Sequence, residues 1–287
     1  MGSVIAWFTG NARDSSAMKD RMKDGYNGEF TDYVNKYDDL SSFHYSKISK
    51  ILIQSIDCNG KEVIDVGCGT GILSFLLMEK GVAKLVCVDQ SILMLDKCRE
   101  RSIALGYTDD VISFYEGDVE NLPFADNSYD LVCINMVLGM VPNQQQAINE
   151  LTRILRPGGT MALSVHGPAH YKEPIEAGVK SLNMRYFLAH RLEYWPRDEN
   201  KIRTYFMNAG LKSIRTERLT WIDKFENGGE VFDFFASSTG LWWYHRIPKE
   251  LRKQEAEKTR AYFQRKGIDE VTSDVVFAFG SKTDSVT

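Results

Sequence analysis

The sequence contains no run of the roughly 18 to 20 apolar residues that a membrane-spanning helix needs. Its longest apolar stretch, Leu131 to Val141, is shorter than that and contains Asn135. No membrane partner is expected. The short apolar run within Met1–Gly10 has no preceding basic residues, so a secretory signal is not expected either. Met1-Gly2-Ser3 opens like a myristoylation site, but Ala6 stands where Ser or Thr is required. Cysteine is scarce: Cys58, Cys68, Cys87, Cys98 and Cys133 are odd in number and show no C-x-x-C spacing. That argues against a disulfide framework or a zinc site, so no metal is expected and a reducing cytoplasm is. An excess of positive charge is missing too. Lys and Arg total 35 against 39 Asp and Glu, for a net charge of −4, so no global field favours nucleic acid or anionic lipid. Internal repeats and low-complexity segments are absent.

What remains is ordinary globular composition, 43% hydrophobic and 26% charged, which argues against disorder. At about 150 residues per domain, the length suggests nearly two domains or one large decorated one. Residues 14–60 are mixed and charged, with Phe43, Ile48, Ile51, Leu52 and Ile56 at helical spacing. Then short buried-strand runs alternate with helical stretches. Val63–Val66, Leu85–Val88, Val111–Tyr115, Leu131–Asn135 and Met161–Val165 read as strands. Ile72–Glu79, Ser91–Leu105 with Ser91 as N-cap, and Gln144–Leu155 read as helices. Such alternation predicts βαβ units and a mostly parallel sheet. The rhythm breaks at 167–197, which surrounds a helix-like Ile175–His190. It resumes with a helix at Glu199–Asn208 and a strand at Leu211–Leu219, and breaks again at 221–272 before a last strand at Val275–Phe279. The expected organisation is an N-terminal helical segment or lid over 1–59 and one domain over 60–287, with insertions at about 167–197 and 221–272.

The informative stretch is Asp65-Val66-Gly67-Cys68-Gly69-Thr70-Gly71, between a strand and a helix. Alternating glycines there allow a sharp turn and a close approach of ligand to backbone, and the following helix offers its N-terminal amides to an anion. The same turn can also exist without any ligand. Asp89, however, ends the second strand 22 residues beyond Gly67, near the spacing that puts an acid on ribose hydroxyls. Together the two features favour a nucleoside ligand. Ile72 stands where the dinucleotide fingerprint needs its third glycine, so the spacing is G-x-G-x-G.

That spacing, led by Asp65, resembles motif I of the class I S-adenosylmethionine-dependent methyltransferases. Four further stretches agree in order: Val86–Asp89, Glu116–Phe124, Asn127–Val132 and Glu150–Gly159. The resemblance covers about residues 60–165 and is greatest to the small-molecule branch related to ubiquinone and menaquinone methyltransferases. It implies a Rossmann-like, seven-stranded, mostly parallel sheet whose final strand is antiparallel, with helices on both faces and a helical, aromatic-rich cap built from the insertions. It also implies S-adenosyl-L-methionine as cofactor. Gly67 and Gly69 would support its methionine part, Asp65 its amino group and Asp89 both ribose hydroxyls. Gln90 and Met94 would border the adenine, while Asp118 accepts from its exocyclic amine and the Val119 backbone meets a ring nitrogen. Asn135 would line the methionine end, and Tyr37 resembles a tyrosine that closes over the cofactor. A helix-core role for Met94 and a merely packed Tyr37 remain open alternatives.

Transfer from a sulfonium discharges a cation, so the protein must chiefly align the acceptor and exclude water. A base matters only where the acceptor loses a proton. Of His44, His166, His170, His190 and His245, His166 is best placed, directly after the fifth strand. The insertions are aromatic, including Tyr171, Phe225, Phe232, Phe234, Phe235 and Trp221, and fit either an apolar lid over the acceptor or a satellite core. Lys249–Lys266 reads as a solvated helical face. Asn135-Met136-Val137-Leu138 departs from the Asn/Asp-Pro-Pro-Tyr/Phe of amino-methylating nucleic-acid enzymes, and a nucleic-acid partner is not expected. The expected function is methylation of a small-molecule acceptor. The alternatives are a protein or RNA methyltransferase, a non-catalytic cofactor-binding module, and a nicotinamide dehydrogenase.

Overall fold

A computed structural model describes residues 19–20, 23–26, 32, 35–181, 197–239 and 247–283. Helix α1 (Tyr37–Gln54) precedes β1 (Glu62–Val66), α2 (Ile72–Glu79), β2 (Lys84–Asp89), α3 (Ile92–Ala104), β3 (Ile112–Glu116) and β4 (Tyr129–Asn135). Then come α4 (Gln144–Ile154), β5 (Leu155–His166), α5 (Lys172–Ser181), α6 (Glu199–Asn208) and β6 (Lys212–Lys224). Helices α7 (Gly228–Thr239) and α8 (Lys249–Lys266) and strand β7 (Glu270–Ser281) complete the described elements. The seven strands form one sheet in the order β3-β2-β1-β4-β5-β7-β6. Strands β1 to β5 pair in parallel, and β7 runs antiparallel to β5. This is the Rossmann-like, mostly parallel architecture expected from the sequence.

Chain order reverses about β1, which lies between β2 and β4. Asp65 is in register with Cys87 on one side and Cys133 on the other. Open parallel sheets bind ligands at the carboxyl ends of the strands beside such a switch. The strands form here because β-branched residues fill both faces: Val63, Ile64, Val132, Ile134 and Val165 are buried, as fully covered parallel strands require. Helix α4 presents Ala147, Ile148, Leu151 and Ile154 to this core at three- and four-residue spacing. Ser91 caps α3 as expected, its Oγ accepting from Met94 N at 3.3 Å.

Two long-range cations hold the motif loops. The Arg153 guanidinium donates to Leu122 O at 3.0 Å and Phe124 O at 2.7 Å, and pairs with Glu150 and Asp126. Lys282 Nζ donates to Thr152 O and Leu155 O, both at 2.8 Å, and so closes the carboxyl end of α4 from beyond β7.

The chain divides into two compact units. One holds 43–168, 196–219 and 275–287, and the other 1–42, 169–195 and 220–274. The interruptions expected at 167–197 and 221–272 fall close to two segments of the second unit. The N-terminal division comes after Ser42, not at 59. The second half of α1 goes with the sheet, where Ile48 and Leu52 are buried and Ser49 Oγ accepts from Asn135 Nδ2 at 3.0 Å.

Several boundaries differ from the sequence reading. Strand β5 begins at Leu155, before the Met161 expected from the sequence, because Tyr129 pairs with Leu155 before the register shifts to Leu131–Thr160. Strand β6 runs on to Lys224, β7 starts at Glu270, and α7 occupies part of the block at 221–272 where the rhythm was expected to break. In the second unit, Tyr171 packs edge-on against Phe234 and Phe235, and Phe232 against Phe263. These rings are buried in a core of their own, the satellite-core alternative. Helix α8 buries Ala256, Thr259 and Phe263 and exposes most of its charges, the expected solvated face. Described residues end the helix-like Ile175–His190 at Ser181. His190 and His245 lie outside the described residues.

Candidate active site

At the end of β1 the chain passes through Gly67, Gly69 and Gly71 at φ +75°, +56° and +87°. These are left-handed conformations in which a side chain is strained. A Cβ on Gly67 would lie 2.2 Å from Val137 Cγ2, so the glycine lets this turn and the segment after β4 close together. Gly69 differs, because a Cβ there would meet nothing within 4 Å. Its face is open to an approaching ligand.

Asp65 is fully buried in β1. Its Oδ2 accepts from Ser74 Oγ at 2.6 Å, while Oδ1 is buried without a hydrogen-bond partner. Burial, reinforced by Cys87, pushes its carboxyl up to about 8. A buried acceptor left open in this way fits a cationic donor such as the amino group of a bound amino acid.

Asp89, partly buried at the end of β2, accepts from Gly69 N through Oδ2 and from Ser91 N through Oδ1, both at 2.9 Å. Burial pushes this carboxyl up, and those backbone donors oppose it. Each carboxylate oxygen retains a further lone pair, so two hydroxyls can still be accepted. Gln90 beside it is partly exposed. Met94 is buried in the first turn of α3. The neighbouring loop is tied to this point through Gly117 N, which donates to Asp89 O at 3.0 Å. There Asp118 is partly exposed, its Oδ1 accepting from Glu120 N at 2.9 Å, and Val119 is buried.

On the other side of the switch, Asn135 ends β4. Besides donating to Ser49, it accepts from Ser164 Oγ, and Ser164 Oγ also accepts from Met136 N at 3.1 Å. Met136 follows at φ +60°, a left-handed conformation for a buried non-glycine residue. His166 ends β5 only 3% exposed, and burial, with His44 nearby, lowers its imidazole to about 3. It is neutral at physiological pH and a weak base. His170 belongs to the second unit, where its Nδ1 faces the Asp274 backbone. Tyr37 opens α1 and is grouped with that unit.

Asp65, Gly67, Gly69, Asp89, Gln90, Met94, Asp118, Val119, Asn135 and His166 therefore all lie in the sheet unit, at or just beyond the carboxyl ends of β1 to β5. Sequence reasoning missed Ser49, Ser74, Ser164 and Met136. Their signals are long-range hydrogen bonds and one backbone angle, which no local spacing reveals. A cysteine cluster also escaped it. Cys68 in the turn, Cys87 on β2 and Cys98 on α3 bring their sulphurs within 4.8 Å of one another. The thiols of Cys68 and Cys87 hold Cys98 down to about 5, while burial pushes their own values up.

Residues 64–163 match the family described as Methyltransferase domain. Over 216 residues the chain is 27% identical to a demethylmenaquinone methyltransferase of Paenarthrobacter aurescens, covering 67% of this chain and 80% of the relative. A malonyl-[acyl-carrier protein] O-methyltransferase of Pectobacterium atrosepticum is 33% identical over 128 residues, 45% of this chain and 47% of the relative. Among solved structures, the YcgJ protein of Bacillus subtilis superposes with a TM-score of 0.60 at 16% identity, over 84% of this chain and 100% of that one. The last similarity speaks for the fold alone. With the G-x-G-x-G turn, the acids ending β1 and β2 and the antiparallel β7, these matches identify residues 64–163 as a methyltransferase domain of the class I S-adenosylmethionine-dependent kind.

Proposed function

We propose that the sheet unit binds S-adenosylmethionine at the carboxyl ends of β1 to β4 and methylates a small organic acceptor by in-line displacement. The observation that carries this reading is the buried, unpartnered Asp65 Oδ1 at the end of β1, followed in the turn by the open face of Gly69. Asp65 would hold the amino group, and Gly67 and Gly69 the methionine chain. Asp89 would accept the ribose hydroxyls, Asp118 the adenine amine, and the Val119 backbone a ring nitrogen. Gln90 and Met94 would border the adenine, and Asn135, braced by Ser49 and Ser164, would fix the methionine end. When bound, the cofactor supplies an electrophilic methyl on a sulfonium, whose charge is lost on transfer. The chain's own contribution is then alignment in a water-poor site. The low basicity of His166 suits it to orient an acceptor by hydrogen bonding rather than to carry a proton away. Quinone-type acceptors, as the name of the first relative prints, are the first class to assay.

Calorimetry with S-adenosylmethionine, S-adenosylhomocysteine and NAD tests the cofactor assignment. Binding of the two adenosyl ligands without NAD is expected, and NAD binding alone overturns it. Asp89→Ala should weaken S-adenosylhomocysteine by about 1–3 kcal/mol through lost hydrogen bonds to a charged acceptor; an unchanged affinity removes Asp89 from the site. For the acceptor, label from methyl-labelled S-adenosylmethionine should enter the low-molecular-weight fraction of an extract. Label confined to protein or RNA overturns the small-molecule reading.

A further inference from the structure

The cysteine cluster lies behind the glycine turn and takes no part in the proposed transfer. Its three members come from different elements: Cys68 between Gly67 and Gly69, Cys87 in the middle of β2, and Cys98 on the buried face of α3. Fold geometry brings them together. Cys68 N donates to Val88 O at 3.0 Å, which seats the turn against the end of β2. A Cβ on Gly71 would lie 2.7 Å from Cys98 Sγ, so α3 is packed directly against the turn.

Metal–sulphur bonds of about 2.3 Å place the sulphurs of a trigonal-planar site about 4 Å apart. The three sulphurs already lie within 4.8 Å of one another, so shifts of under an ångström close that triangle. Around it the ligand set is soft and incomplete for zinc. Among the described residues, the oxygens that accept from the trio belong to neutral groups: Ser74 Oγ accepts from Cys87 Sγ at 3.4 Å and donates to Asp65, and Gly69 O accepts from Cys68 Sγ at 3.7 Å. Structural zinc is almost always held by four ligands. Thiolates without a fourth charged donor select a softer ion of lower coordination number. All three cysteines are buried, Cys68 at 7% exposure.

We propose that Cys68, Cys87 and Cys98 form a three-sulphur binding site for one copper(I) ion. Binding displaces thiol protons to solvent, forms copper–sulphur bonds and changes no oxidation state, so no oxidant or reductant is needed. Because Cys68 stands inside the turn and Gly69 N holds Asp89, the ion would also fix the segment that the proposed cofactor site uses. This last consequence rests on the proposed function, whereas the metal site does not.

The test is an anaerobic titration of the reduced full-length chain with copper(I) against a chromophoric copper(I) chelator, followed by X-ray absorption at the copper edge. One equivalent bound by three sulphurs is expected. Cys98→Ser and Cys68→Ser should each weaken binding at least 100-fold, while Cys58→Ala and Cys133→Ala leave it unchanged. Circular dichroism identifies any variant that fails to fold, and the two trio substitutions, on a helix and in a turn, provide independent tests. Sub-stoichiometric binding, binding that survives both trio substitutions, or a zinc ion held more tightly than copper(I) would overturn the proposal. S-adenosylhomocysteine affinity is measured separately with and without copper. Loss of that coupling alone refutes the link to the cofactor turn and leaves the metal site standing.

Discussion

Asp65 shows how a residue suited to a ligand can weigh on the fold that holds it. With its carboxyl pushed up to about 8, the folded chain binds a proton that the unfolded chain, near 3.8, releases. Its influence on stability is therefore most favourable below pH 4 and declines as pH rises towards 8, by about 1.4 kcal/mol for each pH unit of that window. Asparagine has the same shape and no proton to lose. Thermal unfolding without cofactor should show Asp65→Asn melting above the wild type at pH 8.5 and close to it at pH 4. Parallel pH profiles for the two proteins would refute this account of Asp65. The same variant should bind S-adenosylhomocysteine less well, since a neutral amide cannot pair with an amino cation.

At the scale of elements, α4 ends where β5 begins, and the carbonyls of Thr152 and Leu155 depend on Lys282 for a donor. Lys282→Met retains the aliphatic stem but removes the donor from those partly buried carbonyls. A loss of about 1–3 kcal/mol is expected in urea unfolding, and no change would mean that water replaces the ammonium without loss. No local pattern could have predicted this contact, because donor and acceptors lie 127 to 130 residues apart. The alternation of strand and helix from Val63 to Val165 was legible because buried parallel strands and amphipathic helices leave different periods in the sequence. The G-x-G-x-G turn and Asp89 were legible because a left-handed turn demands glycine and a strand end fixes the next acid. Helix α7 was not, since its aromatic residues fit a lid or a core equally well until Phe232 is seen against Phe263, whereas the charges of α8 already read as a helical face. The serines that brace Asn135 come from α1 and β5 and carry no spacing signal at all.

Over the whole molecule, the two compact units share their strands. Strand β6 passes from one to the other after Leu219, and β7 after Asp274. Neither unit is a contiguous piece of chain, and each contains three separate segments. Unfolding one must disturb strands whose other halves belong to the second. Differential scanning calorimetry should therefore show a single transition, with calorimetric and van 't Hoff enthalpies in agreement. Two resolved transitions would show that the shared strands transmit little.

Met136 carries a lesson for selection experiments. Its left-handed backbone is strained by about 1–2 kcal/mol for any residue but glycine, asparagine or aspartate. A library screened only for heat resistance should therefore enrich Gly or Asn at this position, beside the proposed methionine end of the cofactor. A library screened for turnover would retain Met there if the buried thioether shapes that wall. The residue recovered under each regime would separate what the backbone prefers from what the reaction needs.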